Sequence, residues 1–382
     1  MSQIPVKGAL LQWAVDRARL DPIVLNKRFP KWHKWLSGET FPTLKQLEAL
    51  AKATHTPVGY FFLPEPPQER LPIPDFRTAA DAQLQRPSVD LLDTVYICQQ
   101  RQEWFRDYAG MRGLPRLPFI ASLKTSTDPV HAAARIRHAI KLDIAARQQL
   151  PNWGEALRHL VELVEASGIL VMASGVVGSN NRRKLDPQEF RGFALADDIA
   201  PLVFINAADS KAAQMFTLAH ELAHIWLGES GVSDAPLLAP DQQVERWCNQ
   251  VAAELLMPLD LVRQSYRLTG NIRNDMDQLA RLFKVSSLVA LRRIHDLGGI
   301  DRESMWAAYR DELERIRGFD KKASAGGDFY RTLGVRVSKA FARALVESTL
   351  EGQTLFRDAY RLLGVAKTET FEHIVREFGA VP

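Results

Sequence analysis

His220 and His224 stand four residues apart in the stretch His220-Glu221-Leu222-Ala223-His224. In a helix that spacing puts both imidazoles on one face, as a zinc ion requires of a histidine pair. Glu221 flanks that row. Its carboxylate can take a proton from a metal-activated water and pass it to a leaving amine, so the pattern points to metal-assisted peptide hydrolysis. The alternative is a pair of core histidines bonded to backbone carbonyls, with Glu221 at the surface. The neighbours argue against it: Phe216, Leu218, Ala219, Leu222, Ala223, Ile225 and Trp226 make the helix apolar nearly all round. Such a helix is buried, and buried charges need partners.

A tetrahedral catalytic site takes a third protein ligand and keeps one position open. The next helix offers Glu245, with Asn249 one turn on and placed to orient that carboxylate or a ligand histidine. Two rivals remain open. Glu254 lies on the opposite face of the same helix. Cys248 could bind as a thiolate, or be a small buried hydrophobe on the face of Val244, Val251 and Leu255. One zinc per chain is expected, and no residue is identified as transition-state stabiliser.

The elements that must position these residues follow from patterning. A helix is expected from Asp209-Ser210 to Leu227, ended by Gly228, and a second from about Asp241 to Met257-Pro258. Strands are expected at Gly168–Met172, Phe190–Leu195 and Pro201–Asn206. The last leads almost directly into the zinc helix. At a sheet edge it would pair with an extended peptide above the metal; as a core strand it would only support the helix. Upstream, Asp90–Tyr108, His131–Lys141 and Trp153–Ala166 read as helices. Residues 8–62 read as short helices with tight turns. The prolines of Leu63-Pro64-Glu65-Pro66-Pro67 and Leu71-Pro72-Ile73-Pro74 mark a stiff border. Domains are therefore expected at 1–67, 68–165, 166–300 and 301–382, the last helical with a Gly326-Gly327 break.

Composition excludes several classes. The 382 residues are 46% hydrophobic and 25% charged, and no apolar run is long enough to span a membrane. There is no secretory pattern at the N-terminus, and two cysteines cannot frame a disulfide scaffold. A cytoplasmic protein is expected. The net charge of +4 is mild, but residues 1–70 hold ten Lys/Arg against six Asp/Glu, so the excess sits at the N-terminus. There, Lys31, His33 and Lys34 can meet phosphates. The same short helix lacks the Arg, Asn or Gln that reads a base edge. Docking onto another protein is the competing reading. In the pair Asp277–Phe283 and Leu291–Ile294, Arg281, Arg292 and Arg293 read as a solvated face, or else a weak nucleic-acid patch.

The run Phe216–His224, together with Glu245 and Asn249-Gln250-Val251-Ala252-Ala253-Glu254-Leu255-Leu256-Met257-Pro258, resembles the ImmA/IrrE metallopeptidases. Trp35-Leu36-Ser37-Gly38-Glu39, Pro42-Thr43-Leu44, Gln46-Leu47 and Phe61–Pro67 resemble the Xre-type helix-turn-helix that often precedes them. The likeness spans about residues 8–300; the tail around Gly327–Arg331 and Ser348–Gly352 is similar to one subgroup. The resemblance implies a multi-domain, mainly α fold with a small β-sheet: an N-terminal helix-turn-helix bundle, an α+β zincin-like domain and a helical C-terminal region. It implies zinc on His220, His224 and Glu245, with Glu221 as base. It further implies cleavage of a helix-turn-helix repressor in stress or mobile-element control. The alternative it implies is an antitoxin-like or transcriptional role, with a PIN-like toxin or DNA as partner. Trp247-Cys248 and the turn Phe29-Pro30-Lys31 depart from the family pattern.

Overall fold

The computed structural model describes residues 3–76, 87–233, 243–267, 269–320 and 334–378. Asp241, the Gly326-Gly327 break and the tail motif 327–331 lie outside them. The described chain falls into two compact units: residues 3–72 with 87–93, and residues 73–76 with the chain from Thr94 onward.

The first unit holds α1 (Gly8–Arg17), α2 (Pro22–Arg28), α3 (Trp32–Leu36), α4 (Leu44–Thr54) and a 3-10 turn at Val58–Phe62. Asp21 caps α2, accepting from the Ile23 and Val24 amides, with Pro22 at the first helical position where its missing N–H costs nothing. Thr43 and Gln46 form a reciprocal capping box on α4. Leu10, Leu11, Trp32, Trp35, Leu47, Leu50 and Phe61 share one core. Burial of Trp32 and Trp35 leaves Lys31, His33 and Lys34 on the outer side of α3.

The second unit is mainly helical around one small sheet. Its helices are α5 (Val89–Met111, from Thr94), α6 (Pro129–Ala139), α7 (Ile144–Gln148), α8 (Trp153–Ala166), α9 (Lys211–Leu227), α10 (Gln243–Leu256), α11 (Leu259–Ser265), α12 (Ile272–Phe283), α13 (Ser287–Asp296) and α14 (Arg302–Asp320). Three tail helices follow, at Lys339–Leu350, Phe356–Leu363 and Thr368–Phe378. The strands are β1 (Leu170–Ser174), β2 (Gly192–Leu195), β3 (Leu202–Asn206) and β4 (Gly231–Ser233), in the order β1-β3-β2-β4. β1 is parallel to β3, and β2 is antiparallel to both β3 and β4.

One alternative is excluded and two expectations need correction. β3 is an interior strand, hydrogen-bonded on both sides, so its backbone cannot receive a peptide; the outer strand beside β2 is β4, too short at three residues to read from sequence. Arg293 belongs neither to a solvated face nor to a nucleic-acid patch. It is buried and paired with Glu254 at 2.7 Å. β1 also starts two residues later than expected, because Gly168 adopts φ +97° in the turn after α8.

α9 is the centre of this unit. Ser210 caps its start by accepting from the Ala213 amide, and Gly228 ends it in the left-handed conformation. Every residue from Gln214 to Trp226 is buried, with β2, β3, α6, α8 and α10 packed around.

Candidate metal centre

α9 supplies His220 and His224 on successive turns, and α10 brings Glu245 against them. Four atoms converge there, one nitrogen from each imidazole and both carboxylate oxygens of Glu245. His220 Nε2 to His224 Nε2 is 3.1 Å, His220 Nε2 to Glu245 Oε2 is 3.2 Å, and His224 Nε2 to Glu245 Oε1 is 3.0 Å. Ligands held ~2.0–2.2 Å from a tetrahedral zinc lie about 3.3–3.5 Å apart, a few tenths of an ångström wider. Among the described residues this is the cluster of three or more His, Cys, Asp or Glu able to hold a metal ion.

The donor set fits a cation. Asn249, one turn after Glu245, presents Oδ1 to His220 Nδ1 at 2.9 Å. An amide oxygen only accepts, so the Nδ1 proton is committed there and Nε2 turns a lone pair inward. Glu245 turns its oxygens to the same point; among the described residues no donor other than the imidazoles reaches them. Lone pairs converging in a dry core are costly unless a positive charge sits among them. Burial resists charge on His220, but the carboxylates of Glu245 and Glu221 and the Asn249 bond hold its pKa above the ordinary value. Burial takes His224 the other way, below its ordinary value, against the Glu245 bond. Burial also resists charge on Glu245, yet the two imidazoles outweigh it and draw its pKa down to about 2.

Glu221 leaves the ligand row and points toward the sheet. Gly192 on β2 makes room for it: a Cβ there would lie 2.5 Å from Thr217 Cγ2, 2.8 Å from the Phe204 carbonyl oxygen and 3.1 Å from Glu221 Oε1. Among the described residues neither Glu221 oxygen makes a full hydrogen bond. Burial raises its pKa to about 8, with the Glu245 charge adding to the effect; His220 and the nearby Ser233 hydroxyl oppose it. A buried carboxyl held above its ordinary range and beside the candidate metal ligands suits proton transfer.

The rival ligands go elsewhere. Glu254 pairs with Arg293 and receives the Leu259 amide at 3.4 Å. Cys248 faces the core, its thiol pushed well up by burial first and then by nearby carboxylates. In the first unit, Lys31, His33 and Lys34 are exposed, and Lys34 Nζ lies 2.6 Å from Glu39. They sit together on one short helix.

Sequence reasoning missed three participants: Gly192, Ser233 and Phe76. The Phe76 ring stacks on the His224 imidazole, with centroids 5.4 Å apart and planes 10° off parallel. Nothing in its proline-rich surroundings announces this contact. Gly192 within an expected strand was the available hint of a close backbone approach.

Residues 164–295 match the peptidase family M78, described as the IrrE N-terminal-like domain. The matched segment contains the sheet, α9, α10 and the α12–α13 pair, and supports an ImmA/IrrE-type metallopeptidase at family level. Residues 337–377 match a domain of unknown function (DUF8813). No curated protein matches the chain. Among the described residues no helix is long and apolar enough to cross a membrane.

Proposed function

We propose that the chain is a zinc-dependent endopeptidase of the ImmA/IrrE type that cleaves a regulatory, repressor-like protein. The observation that carries this reading is the cluster of His220, His224 and Glu245 with Glu221 beside it. In it, His220, His224 and Glu245 hold one zinc ion, and Asn249 fixes the His220 ring. When bound, zinc supplies Lewis acidity, polarising a carbonyl and acidifying water to a pKa of ~7. Glu221 accepts the proton released in the attack and returns it to the departing amine. The dry surroundings strengthen each of these electrostatic interactions.

Substrate selection we assign to protein–protein recognition, with the first unit as the docking element for a helix-turn-helix repressor. DNA is the competing partner there, through Lys31, His33 and Lys34. One observation favours a second reading, an antitoxin-like binder of a PIN-like toxin with little turnover: His220, Glu221 and His224 are 0% exposed and Glu245 1%. Co-expression with the products of neighbouring genes separates the two. Wild type and Glu221→Gln are compared by mass spectrometry of fragments. Endopeptidase action predicts a discrete cut product that the variant abolishes while keeping its zinc. A stable complex with no cut product in either strain contradicts it.

A further inference from the structure

The side of the sheet nearest the metal ligands is already occupied. β4 uses one side to pair with β2, leaving the Val232 N–H and C=O directed outward. Both are taken by the chain's own residues 74–76. The Val232 N–H donates to the Pro74 carbonyl at 3.0 Å, and the Phe76 N–H donates to the Val232 carbonyl at 2.9 Å, in parallel register at Asp75. From that position the Phe76 ring lies flat against His224. Its seat is cut by Gly231: a Cβ there would come within 2.2 Å of the ring.

We propose that residues 74–76 are a built-in strap that closes the metal centre, and that an extended peptide must displace them to reach it. Three features support a strap over a permanent strand. Pro74 lacks an N–H, so the pairing cannot lengthen toward the N-terminal side of the strap. The groups it covers, an outward N–H and C=O beside a flat aromatic seat, are those an extended peptide with an aromatic side chain would use. Finally, the four site residues are sealed from solvent, which turnover on a protein substrate does not permit. The inference rests on the peptidase reading only for what replaces the strap.

The test uses the full chain and zinc alone as probe. Rates of zinc uptake and of zinc release to a chromogenic chelator are compared for wild type, Phe76→Ala, Phe76→Tyr and Gly231→Ala. A strap predicts that Phe76→Ala and Gly231→Ala speed uptake and release together, by about tenfold, with the zinc Kd unchanged. Phe76→Tyr, which keeps the stacked ring, stays near wild type. Amide exchange at Val232 rises in the same two variants. Faster release with unchanged uptake makes Phe76 a mere support for His224 and overturns the proposal, as do rates and exchange unchanged in Phe76→Ala. Should Gly231→Ala fail to fold, Phe76→Ala decides alone. Cleavage of the co-expressed partner is scored separately. Faster zinc exchange without cleavage keeps the strap and removes the peptidase; cleavage with unaltered zinc exchange does the reverse.

Discussion

The two ends of α10 each carry one buried glutamate, and the chain surrounds them in opposite ways. Glu254, in the last turn, is met by the Arg293 guanidinium at 2.7 Å, and Arg293 is held in turn by Asp296 at 3.1 Å. Arg137 closes the region by donating to the Glu254 backbone carbonyl at 2.7 Å. Here the protein supplies the positive charge itself. Glu245, in the first turn, faces two imidazoles, and on His220 the Asn249 bond commits the proton to Nδ1 so that the inward nitrogen accepts. Among the described residues no Lys or Arg pairs with it. One end is complete as a piece of architecture; under the proposed reading the other is completed by a cation from solution. That contrast, more than burial or charge alone, separates a structural carboxylate from a ligand.

The largest expected effect strikes the self-sufficient end. Glu254→Gln leaves Arg293 buried with half its partners, and loss of one member of such a pair costs about 3–5 kcal/mol. A denaturant titration should show that loss while zinc content is unchanged. A variant that lost zinc and kept its stability would break the contrast. Next is Asn249→Ala at the metal end. It frees His220 to turn and to change tautomer, and should weaken zinc binding by ~10–100-fold in a competition titration. An unchanged affinity would mean that packing alone orients the ring. The smallest effect sharpens the comparison by showing that α10 carries no thiolate ligand. Burial holds the Cys98 thiol at about 12, against the pull of Arg101, and holds Cys248 well above its usual value. At pH 8 both stay protonated, so native protein should resist a disulfide reagent that labels both after unfolding. Rapid native labelling of Cys248 would reopen its candidacy as a ligand.

The legible part of the site was the part dictated by one helix. Metal chemistry fixes the His220–His224 spacing, and the apolar neighbours of that pair declare the helix buried. Glu245 was harder. Helical phase separates it from Glu254 but does not say which face meets α9, and each face carries a buried carboxylate. The choice was made by Arg293, which sequence reasoning had placed at a surface. The mainly helical character and the three longer strands were readable from periodicity. β4 was not, because three residues carry no alternation to detect, and its pairing partner came from a proline-rich stretch that reads as a border. Whether β3 is an edge or a core strand could not be read from sequence, because the two differ in their neighbours, not in their own residues.

Zinc content per chain tests the central claim most directly, measured by elemental mass spectrometry on protein never exposed to chelator, for wild type, Glu245→Gln and Glu254→Gln. The metal-centre account predicts about one zinc in wild type and in Glu254→Gln, and close to none in Glu245→Gln. Zinc retained by Glu245→Gln, or absent from wild type, would contradict it.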